Sequence, residues 1–138
     1  VTAYLVDNSI WVRVSTGDPN VAERMRAIDK TPSDIVVTCP PQVLEFCYSA
    51  QTPEEHERYR EIISLGFPLE QAPDERLVLD IQAALWNAGL VRAAGAIDIL
   101  IAAYAIANDA TVLTADRDFD HIAAVSQLRH EYVAPSDS

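Results

Sequence analysis

Residues 96–108 read Ala-Ile-Asp-Ile-Leu-Ile-Ala-Ala-Tyr-Ala-Ile-Ala-Asn, a stretch of helical length that is apolar on every face apart from Asp98, the Tyr104 hydroxyl and Asn108. A helix of that kind is stable only when other elements cover it on all sides. The remaining sequence must therefore supply enclosing layers, and it does so as an alternation of short strand-like runs with amphipathic segments. Runs at 3–6, 34–39, 110–114 and 131–133 are rich in β-branched or apolar residues and bounded by turn chemistry, which is strand character. Strands alternating with helices imply an α/β fold with a mainly parallel central sheet flanked by helices. A chain of 138 residues, 49% of them hydrophobic, has enough apolar material for one such domain without disulfides or structural metal.

The connecting segments carry recognisable helix signals. Ser9 is a candidate N-cap for a short helix beginning at Ile10, and a second helix is expected over 21–30 after Gly17-Asp18-Pro19. Pro40-Pro41 opens a third that runs to about Ala50. Thr52-Pro53-Glu54-Glu55 has the spacing of a capping box and starts a fourth that ends at Gly66. Residues 67–70 are an edge-strand candidate, and Leu77, Ile81, Ala84 and Leu85 mark a helix over 74–87 closed by Gly89. A short helix after the Asp116 loop leads to the final strand.

The charge balance narrows the function. The chain holds 21 acids against 10 bases, with Lys30 the only lysine, for a formal charge of −11. Non-specific binding to nucleic acid depends on clustered cations that displace counterions from phosphates, so a chain this acidic cannot act as a general nucleic-acid coat. A phosphate substrate would have to be recruited by a few arginines and by bound metal. Cys39 and Cys47 have no neighbouring His and lack zinc-knuckle spacing, and read as buried thiols in a reducing compartment. The first strand begins by about Ala3, so no signal peptide is expected, and the longest apolar run, 99–107, is too short to span a bilayer. A soluble cytoplasmic protein is the expectation.

Several acids occupy positions where chemistry and ordinary structure compete. Asp7 directly follows an apolar strand, where an acid serves equally as a turn residue or a ligand. Glu45 shares a helical side with Gln42 and Ser49, and a solvated polar face accounts for it. Asp98 at the mouth of the apolar helix is costly unless paired, although an N-cap role would satisfy it. Asp116, Asp118 and Asp120 fall within five residues at the end of a strand, as a solvated loop or as part of a site for a hard cation. His56, His121 and His130 form no metal-ligand pattern.

Four segments, in order and spanning nearly the whole chain, carry a resemblance. They are Leu5-Val6-Asp7-Asn8-Ser9, Pro41-Gln42-Val43-Leu44-Glu45, Gly95-Ala96-Ile97-Asp98-Ile99-Leu100-Ile101-Ala102-Ala103 and Val112-Leu113-Thr114-Ala115-Asp116-Arg117-Asp118-Phe119. The sequence resembles PIN-domain toxin ribonucleases of the VapC type. The resemblance implies a three-layer sandwich formed by residues 1–134 as one PIN-like domain, with 135–138 as a polar tail. It implies that Asp7, Glu45, Asp98 and Asp116 are the catalytic, metal-site acids, with Asp118 an accessory ligand and Asp120 a helix cap. Ser9 matches a small hydroxyl position beside the first acid, and Arg92 a position where relatives carry a basic residue. Both are candidate substrate contacts, and a surface ion pair explains Arg92 as well. The implied cofactor is Mg2+, or Mn2+, and the implied partners are RNA substrate, a cognate antitoxin laid over the active-site groove and a second copy in a homodimer. Three rivals remain at this stage: a PIN-fold nuclease acting on DNA, a non-catalytic PIN-like binding module, and a phosphoacceptor receiver domain. The receiver needs a lysine after a late strand, and none is present there.

Overall fold

A computed structural model of the chain describes residues 1–136, so the end of the polar tail, residues 137–138, lies outside the described residues. Five strands form one sheet: β1 (Thr2–Val6), β2 (Asp34–Thr38), β3 (Phe67–Pro68), β4 (Thr111–Thr114) and β5 (Arg129–Tyr132). Their spatial order is β3-β2-β1-β4-β5, and every pairing is parallel. The helices are α1 (Asn8–Ser15), α2 (Pro19–Asp29), α3 (Pro40–Tyr48), α4 (Pro53–Ile63), α5 (Glu75–Asn87), α6 (Ala96–Ala107) and α7 (Asp118–Val125).

The two-residue period of the strands sorts their side chains into two cores. Leu5, Val37 and Val112 face α5, α6 and α7, where Ile81, Leu85, Ile101, Phe119 and Ile122 pack against them. Tyr4, Val6 and Leu113 face the other way, onto Ile10 of α1 and Val21 and Ile28 of α2. Ala102, Ala103 and Ala105 of α6 are fully buried, and their small side chains let this all-apolar helix sit inside its layer. A third, smaller cluster joins α3 and α4 to α1 through Phe46, Ile63, Tyr59 and Trp11. This is the expected three-layer sandwich, with an entirely parallel sheet. Among the described residues no helix is long and apolar enough to cross a membrane.

Local signals set the helix ends, with three corrections to the sequence reading. α1 begins at Asn8 rather than Ile10, because Asp7 and not Ser9 is its N-cap and accepts the Ser9 N–H. α2 begins at Pro19, since the Asp18 carboxylate accepts from the N–H of Asn20 and Val21 and the proline needs no donor in the first turn. Asp120 does not cap α7. The cap position is Arg117, the Asp116 carboxylate takes the Asp118 N–H at 3.1 Å, and Asp120 is held by Arg117 and His130. By contrast, Thr52 caps α4 through the Glu55 N–H as the capping-box spacing requires. α5 closes as expected at Gly89, whose φ of +76° allows Leu90 N–H to return to the Leu85 carbonyl at 2.9 Å.

Arg24 of α2 fixes the helix layer to the sheet. Its Nε donates to Glu131 Oε2 at 2.6 Å and its Nη2 to Glu131 Oε1 and the Tyr4 hydroxyl, both at 3.0 Å. Because this paired fork is only partly exposed, removing it strands Glu131 and the tyrosine hydroxyl. Arg24→Ala is expected to lower stability by about 1–3 kcal/mol, measured by denaturant melting, whereas a change below about 0.5 kcal/mol would mean that the contact is solvated and idle.

Candidate active site

β1 is followed by β2 and β3 on one side of the sheet and has β4 and β5 on the other. The chain therefore reverses direction across the sheet between β1 and β4, and the crevice at their carboxyl ends is where ligands bind in open parallel sheets. Asp7 ends β1 at that crevice, its N–H donating to the Leu113 carbonyl at 2.9 Å. Only 5% of Asp7 is exposed.

A small hydroxyl network holds the carboxylate in place. The Ser9 hydroxyl donates to Asp7 Oδ2 at 2.7 Å and accepts the Ala115 N–H at 2.9 Å. The Thr114 hydroxyl lies 3.2 Å from Asp7 Oδ2 and accepts the Asp116 N–H at 3.0 Å. Thr114 is fully buried, so this contact is shielded from competing water. It was not singled out as functional in the sequence. Its signal was a hydroxyl at the end of an otherwise apolar strand, two residues before Asp116. Ser9 was read as a substrate contact, but in this geometry its proton is directed to Asp7, and it joins β1 to the loop after β4.

The other acids approach from three different elements. Asp98 lies in the first turn of α6, three residues after the Gly95 cap. Glu45 is half-buried on α3, and the side taken as solvated turns inward at Gln42, which is 1% exposed. Leu44 and Tyr48 of the same helix face outward instead. Asp118 opens α7, and Asp116 stands exposed in the loop before it.

These carboxylates feel one another. Burial pushes Asp98 up from its ordinary 3.8 to about 7, helped by the charges of Asp7, Glu45 and Asp118 in that order. Burial also raises Asp7, against the lowering pull of its Ser9 and Thr114 hydrogen bonds. Glu45 is raised by burial and then by Asp7, and Asp118 by burial and then by Asp116, with His121 opposing. The sequence-predicted acids thus share one electrostatic field, with Asp116 joined to it through Asp118. Among the described residues, however, no three His, Cys, Asp or Glu side chains are gathered tightly enough to ligate a single ion. Like-charged carboxylates hold one another apart, and a set of this kind draws together as a cation neutralises it. Their all-oxygen chemistry fits a hard divalent ion.

Arg92 is not brought into the cluster by any ion pair or hydrogen bond among the described residues. It is exposed in the loop between α5 and α6 at a left-handed φ of 59°, a conformation that is strained for a side chain with a Cβ.

Comparison with known proteins agrees with this architecture. The PIN-domain family matches residues 4–125. The chain is 31% identical over 131 residues to a VapC ribonuclease of Mycobacterium bovis, covering 91% of this chain and 95% of the relative. It is 30% identical over 134 residues to the ribonuclease VapC21 of Mycobacterium tuberculosis, covering 96% and 94% respectively. Among solved structures, the VapBC2 complex of Rickettsia felis bound to promoter DNA contains a chain that superposes with a TM-score of 0.73 at 17% identity, covering 95% of this chain and 98% of that one. A chain of VapBC-1 from nontypeable Haemophilus influenzae does so with a TM-score of 0.70 at 21% identity, covering 95% and 98%. The fold and the acid-lined crevice define a PIN-type α/β domain. The chain belongs to the PIN-domain family, among its VapC ribonucleases.

The raised Asp98 has a measurable consequence. The folded chain retains this proton up to about pH 7, whereas the unfolded chain releases it near 3.8, so the metal-free protein loses stability as pH rises between those values. Asp98→Asn is expected to raise the melting temperature of the metal-free protein at pH 8 by a few degrees, roughly 1–2 kcal/mol after allowance for partial solvent screening. The gain should vanish near pH 4. An equal or lower melting temperature at pH 8 would contradict the shared field.

Proposed function

We propose that the protein is the toxin of a toxin–antitoxin pair, a divalent-metal-dependent endoribonuclease that hydrolyses RNA phosphodiesters. The observation that carries the reading is the meeting of acids from the end of β1, α3, α6 and the start of α7 at the β1/β4 crevice, where burial, reinforced by the charges of Asp7, Glu45 and Asp118, pushes Asp98 up to about 7. Such repulsion is tolerated where a cation is to be held. The ribonuclease names of the two mycobacterial relatives support the reaction class.

Asp7, Glu45, Asp98 and Asp116 would hold Mg2+ or Mn2+, with Asp118 as an accessory ligand. When bound, such an ion supplies Lewis-acid polarisation of the phosphoryl oxygen and water of lowered pKa. The chain itself contributes position. Asp7 is locked by Ser9 and Thr114, Asp98 is carried by the first turn of α6, and Asp116 is oriented by the Asp118 N–H.

The proposed partners are an antitoxin and a second copy of the chain. VapBC structures with the same fold support a cognate antitoxin, and an acidic crevice in a chain of charge −11 attracts a cationic tail. A recess of about 560 Å³ on the α1–α2 side, lined by Trp11, Val14, Met25, Ile63 and the exposed Leu65 and Phe67, offers a more apolar antitoxin segment a second place to bury. The outward Leu44 and Tyr48 of α3 supply apolar surface for a homodimer. Two buried free thiols fit a cytoplasmic location.

The reading is tested with purified protein and single-stranded RNA. Cleavage should require Mg2+ or Mn2+ and stop with chelator, and Asp7→Asn and Asp98→Asn should each remain folded yet lose more than about 100-fold of the rate, beyond what loss of an outer-sphere partner removes. Metal-independent cleavage, cleavage of DNA in place of RNA, or wild-type rates in both variants would each overturn it. Thr114→Val should weaken metal affinity about 10–100-fold, read as a smaller metal-induced rise in melting temperature, because Asp7 loses its buried donor. An undiminished rise would remove Thr114 from the site.

A further inference from the structure

One basic residue is flanked in sequence by two of the crevice acids and is held on the neighbouring strand. Arg117 lies between Asp116 and Asp118 at the N-terminal cap of α7. Its guanidinium carbon sits over the Tyr132 ring, 3.6 Å from the centroid, in cation–π contact with the aromatic face. Its Nη1 donates to Asp120 Oδ2 at 3.1 Å, and the other oxygen of Asp120 pairs with His130 Nε2 at 2.7 Å. The arginine is thus fixed from one edge and one face while 67% of its side chain is exposed.

Its position follows from the sheet register. Tyr132 pairs with Thr114, the residue that holds Asp7, so Arg117 stands one strand away from the acids along the same carboxyl edge. Adjacent strands are about 4.8 Å apart. A polyanion entering a crevice lined by Asp7, Glu45, Asp98, Asp116 and Asp118 meets repulsion except at such a cation. Most of the N–H fork of Arg117 is unengaged, since its described hydrogen bonding is the single contact to Asp120. A guanidinium already immobilised on an aromatic ring gives up little rotamer freedom on binding and matches a phosphate with two parallel donors.

We propose that the Arg117–Tyr132 pair, oriented by Asp120, is a substrate-binding platform that grips the phosphate next to the scissile one on a single-stranded RNA. The idea rests on the ribonuclease reading and extends it, and it supplies the local cation that the overall charge of −11 demands.

Two measurements separate the platform from the reaction. In steady-state cleavage with magnesium, Arg117→Gln should raise KM about tenfold with kcat changed less than threefold, and Arg117→Lys, which keeps charge but loses the planar fork, should recover only part of the loss. In the non-cleaving Asp98→Asn background, fluorescence anisotropy with a labelled single-stranded oligoribonucleotide in magnesium should show weaker binding for Arg117→Gln. The slope of log affinity against log salt should also fall by about 0.7, the contribution of one phosphate contact. An unchanged KM and salt slope, with only the melting temperature lowered, would reduce the pair to a clamp of α7 on β5 and overturn the proposal. Arg117-dependent RNA binding by a wild-type protein that does not cleave would sink the enzyme reading and leave the platform standing. Absence of RNA binding in both proteins would overturn the platform as well.

Discussion

A buried carboxylate at the seam between two parallel strands governs this structure. Asp7 is almost wholly removed from water, and its neighbours at the ends of β1 and β4 are arranged to make that burial tolerable: the Ser9 hydroxyl, the Thr114 hydroxyl and the Ser9 N–H all point at one of its oxygens. An unsatisfied carboxylate there would be strongly destabilising. The same three contacts fix the register of the β4–α7 loop, because Thr114 and Ser9 also receive the N–H groups of Asp116 and Ala115. Fold and site are therefore stabilised by the same atoms, and the loop that carries Asp116, Arg117 and Asp118 takes its course from the carboxylate it surrounds.

The electrostatic consequence is a site that works against the metal-free fold. Each acid pushes its neighbours toward the protonated form, and the effect is largest at Asp98, which is both desolvated and facing the most charge. No arginine is paired with these acids among the described residues. Arg24 is committed to Glu131 and Tyr4, Arg129 to Asp109, and Arg117 lies beside the acids on Tyr132 with its charge shared with Asp120. The proposed cation, or a cationic segment of the proposed antitoxin, would relieve that repulsion.

Much of the fold was legible from residue pattern alone. The all-apolar run of α6 demanded enclosure, the β-branched runs gave the strands, and Thr52, Asp74 and Gly89 placed helix ends that the structure reproduces. The errors were local. At Asp7 and Asp18 two acids outcompete the neighbouring residues for the cap, and at Asp120 a cross-element pairing with His130 replaces a cap, which single-element reasoning does not see. The acids of the site were visible as individuals but each had an adequate local explanation. What united them was the family pattern and then the topology, which brings residues as distant in sequence as Asp7 and Thr114 within hydrogen-bond reach. Thr114 was missed because its hydroxyl acquires a role only from that long-range pairing. The inward turn of Gln42 is not legible from its polar side with Glu45 and Ser49, because the packing of Phe46 against Trp11 of α1 sets how α3 faces the core.

The central claim is that these acids form one cation site at the β1/β4 crevice, and anomalous diffraction from crystals grown with millimolar manganese measures it most directly. The account predicts a peak at the crevice with carboxylate oxygens of Asp7, Asp98 and Asp116 or Asp118 at roughly 2.0–2.2 Å, close to the range of a small hard divalent ion. It also predicts that the peak disappears in Asp98→Asn. A manganese peak bound elsewhere on the molecule, or none at the crevice, would contradict it.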